Sequence, residues 1–93
     1  MRLALRLRIT GRVQGVGYRD WCIGEALAIR LDGWVRNRAD GSVEVLVCGE
    51  ADAVAAFLAR AQEGPPSARV AKIERQAATS PLPEPGFRRL PTL

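Results

Sequence analysis

The sequence predicts an α+β fold in which an antiparallel sheet carries two helices on one face. Three observations predict it. Four segments alternate apolar and polar residues with the period of two that marks a half-buried strand. Two further segments repeat apolar residues every three or four positions, as amphipathic helices do. Turn signals such as Asp40-Gly41 separate the segments. With 93 residues, 47% of them hydrophobic, we expect a single domain over 1–93 with one core.

The first strand is predicted from Leu3 to about Val13, because leucine and isoleucine alternate there with arginine and threonine. Gly11 suggests a bend near the end of this strand. The first helix is predicted from Asp20 to Ile29, where apolar residues recur at helical spacing. Asp20 suits the positive end of the helix dipole.

The rest of the chain is predicted to contain further strands and one more helix. A hairpin turn with an Asp-Gly signal and the stop Gly64-Pro65-Pro66 divide it into elements. The predicted elements are a strand over Trp34–Arg38, a turn over Ala39–Ser42, a strand from Val43 ended by Gly49, a helix over Ala51–Gln62, a strand over Val70–Ala77, a proline-rich loop over Thr79–Gly86 and a short closing strand over Phe87–Leu90.

The order β-α-β-β-α-β is the split βαβ pattern of ferredoxin-like sandwiches. In this fold the first two strands run parallel, with the third between them. The turn Gln14–Arg19 and Asn37 are therefore expected at the same edge of the sheet. Cys22 and Cys48 are expected at opposite ends, too far apart for a disulfide, as two buried thiols.

The composition removes several function classes. The chain has no histidine, and hence lacks the commonest general base and metal ligand; two cysteines alone do not make a usual structural zinc site. We expect neither a metal nor a cofactor. No apolar run approaches the roughly 20 residues of a membrane span, and the charged N-terminus is no signal peptide. We expect no membrane partner, a cytoplasmic location and a monomer.

The net charge of +4 is carried almost wholly by arginine, since Lys72 is the only lysine. A basic chain suits an anionic partner, but charges this evenly spread also suit a solvated surface. The charge balance alone leaves both interpretations open.

The turn Gln14-Gly15-Val16-Gly17-Tyr18-Arg19 is the first candidate site. Glycines that adopt positive φ direct backbone N–H groups into one concavity at a helix N-terminus, where an anion binds. The sequence is neither a P-loop, because Gly17 is followed by Tyr18, nor a dinucleotide fingerprint, because Asp20 stands at the third glycine position. The glycines alone suit an ordinary tight turn equally well. Arg19, a planar fork matched to phosphate oxygens, favours the anion site.

Asn37 is the second candidate. Asparagine is a poor strand residue, and at the end of a strand it often starts a turn. Its amide also donates and accepts hydrogen bonds and is able to hold a water molecule. The residues alone leave both roles open.

Two long motifs resemble the signatures of the acylphosphatase family: Gly11-Arg12-Val13-Gln14-Gly15-Val16-Gly17-Tyr18-Arg19, and Gly33-Trp34-Val35-Arg36-Asn37 followed by Asp40-Gly41-Ser42-Val43-Glu44-Val45. The likeness extends through Gly49 and Gly64-Pro65-Pro66 to Phe87. It implies metal-independent hydrolysis of the carboxyl-phosphate bond of small acyl phosphates. It also implies that Arg19 binds the phosphate and Asn37 orients the attacking water. The substrate-binding residues would be Gln14, Gly15, Val16, Gly17 and Tyr18, with the backbone of Gly15 to Tyr18 around the phosphate oxygens.

This chemistry suits a chain without histidine. The leaving carboxylate has a conjugate acid of pKa about 4 and needs no general acid, whereas a phosphate monoester leaves as a poorer alkoxide. One residue departs from the family: Arg30 stands where a glycine usually follows the first helix. An arginine there would cost on the order of 1 kcal/mol.

Two other classes of function share part of this pattern. RNA-recognition domains share the βαββαβ order but need exposed aromatics on the central strands. The outer positions here are Arg6, Arg8, Thr10, Ser42, Glu44 and Leu46. They offer no stacking platform, so no nucleic-acid partner is expected. A family-like domain kept for binding, or one freed from a larger carbamoyl-transfer protein, is disfavoured because Arg19 and Asn37 are intact and the chain has the length of a self-contained domain.

Overall fold

The computed structural model describes residues 1–78 and 83–93, so part of the predicted proline-rich loop lies outside the described residues. Five strands and two helices follow one another along the chain. They are β1 (Arg2–Arg12), α1 (Tyr18–Ala28), β2 (Asp32–Asn37), β3 (Val43–Glu50), α2 (Ala51–Glu63), β4 (Arg69–Ala77) and β5 (Phe87–Arg89). The predicted order is confirmed. No helix among the described residues is long and apolar enough to cross a bilayer.

The strands form one sheet in the order β4-β1-β3-β2-β5. β3 pairs antiparallel with both β1 and β2, so β1 and β2 run parallel with β3 between them, as predicted. β5 pairs parallel with β2 at the sheet edge, so the predicted antiparallel sheet, which the other three pairings confirm, also contains one parallel pair. The reason is that β4 and β5 lie at opposite edges, and a connection across the sheet is not limited to the antiparallel pairing that a hairpin imposes.

The core lies between the sheet and both helices. Alternate residues of β1 and β3 point into it, including Leu7, Ile9 and Val45, which are fully buried. Val54 and Phe57 of α2 pack against them with the spacing that predicted this helix. Burying one such side chain contributes about 2 kcal/mol. This core fixes where the strand ends and helix starts lie.

The outer face of the sheet is less wet than the alternation suggests. Glu44 points to that face, as predicted, but it is only 5% exposed. Its carboxylate accepts hydrogen bonds from Arg36 Nε at 2.8 Å and Arg38 Nη1 at 3.0 Å, and Arg6 Nε lies 3.5 Å away. Burial raises the pKa of Glu44, but the hydrogen bonds from Arg36 and Arg38 outweigh it and hold the pKa below its usual value. The arginine stems cover the central strand.

Arg30 is the only non-glycine residue of positive φ among the described residues, with φ 60°. It follows Ile29, the C-cap of α1. Its N–H donates to the Leu27 carbonyl at 3.2 Å, and the N–H of Leu31 donates to the Ala26 carbonyl at 2.9 Å. These two bonds define a Schellman motif, whose left-handed position normally carries glycine.

Replacing Arg30 with glycine is therefore expected to stabilise the protein by about 1 kcal/mol, because the strain of a left-handed Cβ exceeds the extra entropy of an unfolded glycine. For a domain of this size the gain corresponds to an increase in Tm of about 4–8 °C. Thermal unfolding by circular dichroism measures it. Arg30→Ala is the control, since it removes the side chain but keeps the strain. An equal rise in Tm for both variants would contradict this account.

Candidate active site

The turn between β1 and α1 has the conformation that its glycines predict. Gly15 and Gly17 have φ of 73° and 81°, whereas Val16 between them does not have positive φ. A Cβ at either glycine would meet nothing within 4 Å. The glycines are therefore required by the backbone conformation and not by crowding. Alternation of this kind directs successive N–H groups toward one point.

These N–H groups have no protein partner among the residues that the structure describes. Within residues 1–78 and 83–93, no backbone or side-chain acceptor takes the amide hydrogens of Gly15 to Arg19. Gly17 is the N-cap of α1 and offers no side chain to cap the helix. The helix N-terminus thus presents free donors and a partial positive charge, the combination that binds anions.

Arg19 lies in the first turn of α1, beside these donors. Its side chain is partly exposed. No carboxylate in the described part of the chain lies within ion-pair distance of its guanidinium, although eleven other ion pairs form there. The guanidinium is therefore available to an external oxyanion.

Asn37 lies at the last position of β2. Its backbone is held on both sides, by Val43 of β3 and by the Leu93 N–H, which donates to the Asn37 carbonyl at 3.1 Å. The side-chain Oδ1 is buried and, among the described residues, has no hydrogen-bond donor. Leaving an acceptor in this state costs about 1–3 kcal/mol. Such an atom calls for a functional explanation.

Arg19 and Asn37 line one cavity of about 180 Å³. The other lining residues are Val13, Gly15, Gly17, Tyr18, Asp20 and Arg89. The end of β1, the start of α1 and the end of β2 therefore meet at one edge, as the topology predicted. The volume is well below that of sites for drug-sized ligands and suits a group as small as a phosphoryl.

A larger hollow of about 430 Å³ lies on the outer face of the sheet. Most of its charged side chains already have partners: Arg8 donates to Asp40 and Glu74, and Arg38 donates to the buried Glu44. Exposed ion pairs such as those of Arg8 are common on surfaces and contribute little. The smaller cavity, with its free donors, is the candidate site.

Gln14 and Val16 do not line the cavity, although the sequence places them in the turn. Val16 packs against the core. The Gln14 side chain points to the β2–β3 hairpin, where Nε2 donates to the carbonyls of Arg38 and Ser42 at 2.8 and 2.9 Å. Gln14 thus connects the turn to the hairpin that begins at Asn37.

Replacing Gln14 with methionine is expected to lower the free energy of unfolding by about 1–2 kcal/mol, because two part-buried carbonyls each lose one of their donors while the side-chain volume is kept. The kcat should fall about ten-fold, because Asn37 would shift relative to the turn Gln14–Arg19 and small displacements reduce catalysis. Steady-state kinetics and chemical unfolding measure both. Gln76→Met on the exposed surface of β4 is the control. An unchanged kcat in Gln14→Met would limit this residue to stability.

Tyr18 contributes backbone to the cavity and its side chain to the core. Its hydroxyl donates to the Ala61 carbonyl of α2 at 2.7 Å, and burial raises the pKa of the phenol. Gly64 packs against the ring, and a Cβ there would come within 2.8 Å of Tyr18 Cε2. The start of α1 is thereby fixed against α2.

Both cysteines are buried and free, which confirms the prediction of no disulfide. Burial raises the pKa of the Cys22 thiol. A protonated, enclosed thiol is a poor nucleophile. Cys22 therefore serves the core.

Two cavity residues were not identified from the sequence. Asp20 was interpreted only as a helix-dipole partner, and Arg89 only as part of a closing strand. Their side chains are in contact across the cavity rim. The alternation of side chains along a strand could have placed Arg89. It lies two residues after Phe87 and therefore shares its face of the sheet, and the burial of Phe87 identifies this face as the one that the helices cover.

The fold and the cavity define a small α+β domain with a candidate oxyanion site at a strand-to-helix turn. A family model described as Acylphosphatase matches residues 5–89. The acylphosphatase of Azoarcus sp. (strain BH72) is 57% identical over 91 residues, which are 97% of this chain and 92% of that relative. The acylphosphatase of Acidiphilium cryptum (strain JF-5) is 51% identical over 85 residues, or 91% and 92% of the two chains. The crystal structure of the acylphosphatase from Bacillus subtilis superposes with a TM-score of 0.90 at 36% identity, covering 97% of this chain and 99% of that one. The chain belongs to the acylphosphatase family and is a hydrolase of acyl phosphates.

Proposed function

We propose that Arg19 and the backbone amides of the turn bind the phosphoryl group of an acyl phosphate, and that Asn37 orients the attacking water. One observation carries the proposal: Asn37, whose buried Oδ1 has no hydrogen-bond partner among the described residues, lines the same cavity of about 180 Å³ as Arg19, which has no ion-pair partner among them. A water molecule that donates to Oδ1 would satisfy this acceptor and lie beside the phosphoryl group.

The reaction is a displacement at phosphorus. The water oxygen forms a bond to phosphorus while the bond from phosphorus to the carboxyl oxygen breaks, and the electron pair leaves with the carboxylate. Its conjugate acid has a pKa of about 4, so no general acid is needed. A phosphate oxygen accepts the proton of the water. Products are a carboxylate and inorganic phosphate.

Positioning and charge stabilisation dominate such transfers, because the transition state is loose and its charge is spread over the phosphoryl oxygens. The free N–H groups of Gly15 to Tyr18, with the backbone of Gln14 and Val16 shaping the turn, supply fixed donors. Arg19 supplies a bidentate cation. None of these groups has to change its protonation state during the reaction.

We further propose that the enzyme acts as a monomer in the cytoplasm on a small-molecule substrate. The free, buried thiols suit a reducing compartment. The arginines over the outer face of the sheet favour hydration over self-association. Sedimentation at several protein concentrations tests the monomer.

The function is tested by comparing benzoyl phosphate with phenyl phosphate in the presence of EDTA. We expect kcat/KM to be at least about a thousand-fold higher for the acyl phosphate, a difference of about 4 kcal/mol in activation free energy. EDTA should not change either rate. Comparable rates on the two substrates would contradict a site without a general acid.

A further inference from the structure

Arg89 is a second arginine of the active-site cavity, and the roles proposed above do not use it. It lies at the last position of β5, opposite Val35 of β2. The N–H of Leu90 donates to the Val35 carbonyl at 2.9 Å, and Phe87 holds the strand in the core. The backbone that carries Arg89 is therefore fixed relative to the cavity.

The Arg89 side chain lies at the rim and not on the floor. It is 43% exposed and its partner Asp20 is 74% exposed. The anion donors of the turn lie inside the same small cavity. A phosphoryl group held by those donors leaves its acyl group at the rim, because the cavity is too small for both.

We propose that Arg89 binds the acyl end of the substrate, and that the enzyme prefers acyl phosphates whose acyl group carries a second anionic group, such as a carboxylate. This inference rests on the proposed function of Arg19 and the turn. It makes Arg89 a specificity-determining residue for the same reaction.

The contact with Asp20 leaves Arg89 able to bind. It involves only Nη2, and a guanidinium presents five N–H donors. An exposed pair of this kind contributes little to stability, so exchanging the Asp20 carboxylate for a substrate carboxylate costs little. Asp20 also remains stabilised by the N-terminus of α1 when Arg89 turns away from it. Asp20 thus holds Arg89 at the rim in the free enzyme.

The test uses benzoyl phosphates with a carboxylate at ring position 3 or 4, each compared with the carboxamide of nearly the same shape. The rigid ring prevents the carboxylate from attacking the acyl phosphate group of its own molecule. For the wild-type enzyme we expect kcat/KM to be about five-fold higher for the carboxylate at one ring position, the size of an exposed ion pair, and the preference to decrease with added salt. In Arg89→Gln the ratio should fall to about one. Arg89→Lys should keep part of the preference, because the charge remains without the fork.

Arg88→Gln is the matched control. Arg88 lies next to Arg89, points to the opposite face and pairs with Glu84, so both rates and their ratio should stay unchanged. A ratio near one in the wild-type enzyme, or an unchanged ratio in Arg89→Gln, would overturn the inference. An equal loss on both substrates with weaker inhibition by inorganic phosphate would move Arg89 to the phosphoryl group and also overturn it. Failure of the proposed function looks different, because the wild-type enzyme would then hydrolyse neither substrate or Arg19→Ala would retain activity.

Discussion

Replacing Arg19 with alanine is expected to lower kcat/KM for an acyl phosphate by about a thousand-fold or more, the range in which a single arginine stabilises the charge of phosphoryl transfer. Inhibition by inorganic phosphate should disappear with it. Among the described residues, Arg19 is the unpaired cation beside the free N–H groups of the turn. Removing it leaves dipoles but no bidentate cation inside the cavity. Initial rates on benzoyl phosphate and the inhibition constant of phosphate measure both effects.

Arg12→Ala is the control for this prediction. Arg12 is an exposed arginine just before the same turn and does not line the cavity. Its loss changes the net charge equally, so a general electrostatic effect would appear in both variants. Arg19→Lys separates charge from geometry, since lysine lacks the planar fork. Near-normal hydrolysis by Arg19→Ala would refute the role of Arg19.

The stability of Arg19→Ala should change little. Within residues 1–78 and 83–93, Arg19 has no ion-pair partner whose charge would be left uncompensated, and its side chain is partly exposed. Surface substitutions of this kind usually change the free energy of unfolding by less than about 0.5 kcal/mol. A normal Tm combined with lost activity would therefore assign the effect to the site itself.

The sequence predicted the meeting of Arg19 and Asn37 because both lie where regular elements end. The period of two in β1 and the Asp40-Gly41 turn fixed the strand order, and this order brings the ends of β1 and β2 to one edge. Positive φ at Gly15 and Gly17 followed from glycine in a tight turn. Backbone features of this kind depend on the residue types of short segments, so they can be predicted from a single sequence.

Side-chain directions were predicted less well. Gln14 was placed among substrate-binding residues because it belongs to the motif, but its amide points to the hairpin. The start of α1 lies at Tyr18 and not at Asp20, because Gly17 in a left-handed conformation caps the helix early. The parallel pairing of β5, and with it the position of Arg89, depends on a connection across the sheet that local pattern does not encode. These features are set by tertiary packing.

The two roles left open for Asn37 make opposite predictions about stability. If Asn37 only started the hairpin turn, its side chain would be bonded to the turn backbone. The turn is held otherwise: Asp40 Oδ1 accepts from the N–H and hydroxyl of Ser42 at 2.9 and 2.6 Å, and the N–H of Arg38 donates to the Ser42 carbonyl at 2.9 Å. The hairpin therefore does not depend on the Asn37 amide, whose Oδ1 has no hydrogen-bond donor in the described part of the chain.

Replacing Asn37 with alanine is accordingly expected to lower kcat by about a hundred-fold or more while inorganic phosphate still inhibits with a similar constant. The free energy of unfolding should stay the same or rise by up to about 1 kcal/mol, because the substitution removes an unsatisfied buried acceptor. Active-site residues often lower the stability of the folded protein because their arrangement serves activity. Single-turnover kinetics, phosphate inhibition and chemical unfolding of the same preparations measure the three quantities.

Ser42→Ala provides the comparison for stability. Its buried hydroxyl donates to Asp40, so this variant should weaken the hairpin by about 1 kcal/mol while it leaves the cavity lining intact. If Asn37→Ala loses stability as Ser42→Ala does and keeps its kcat, the asparagine is a turn residue. If it loses phosphate binding with an intact kcat, the roles of Arg19 and Asn37 are reversed. A water-orienting amide requires a third outcome, a stable variant that binds phosphate but turns over slowly. The reason is that the Asn37 Oδ1 gains its hydrogen bond only when a water molecule lies between this oxygen and the phosphoryl group.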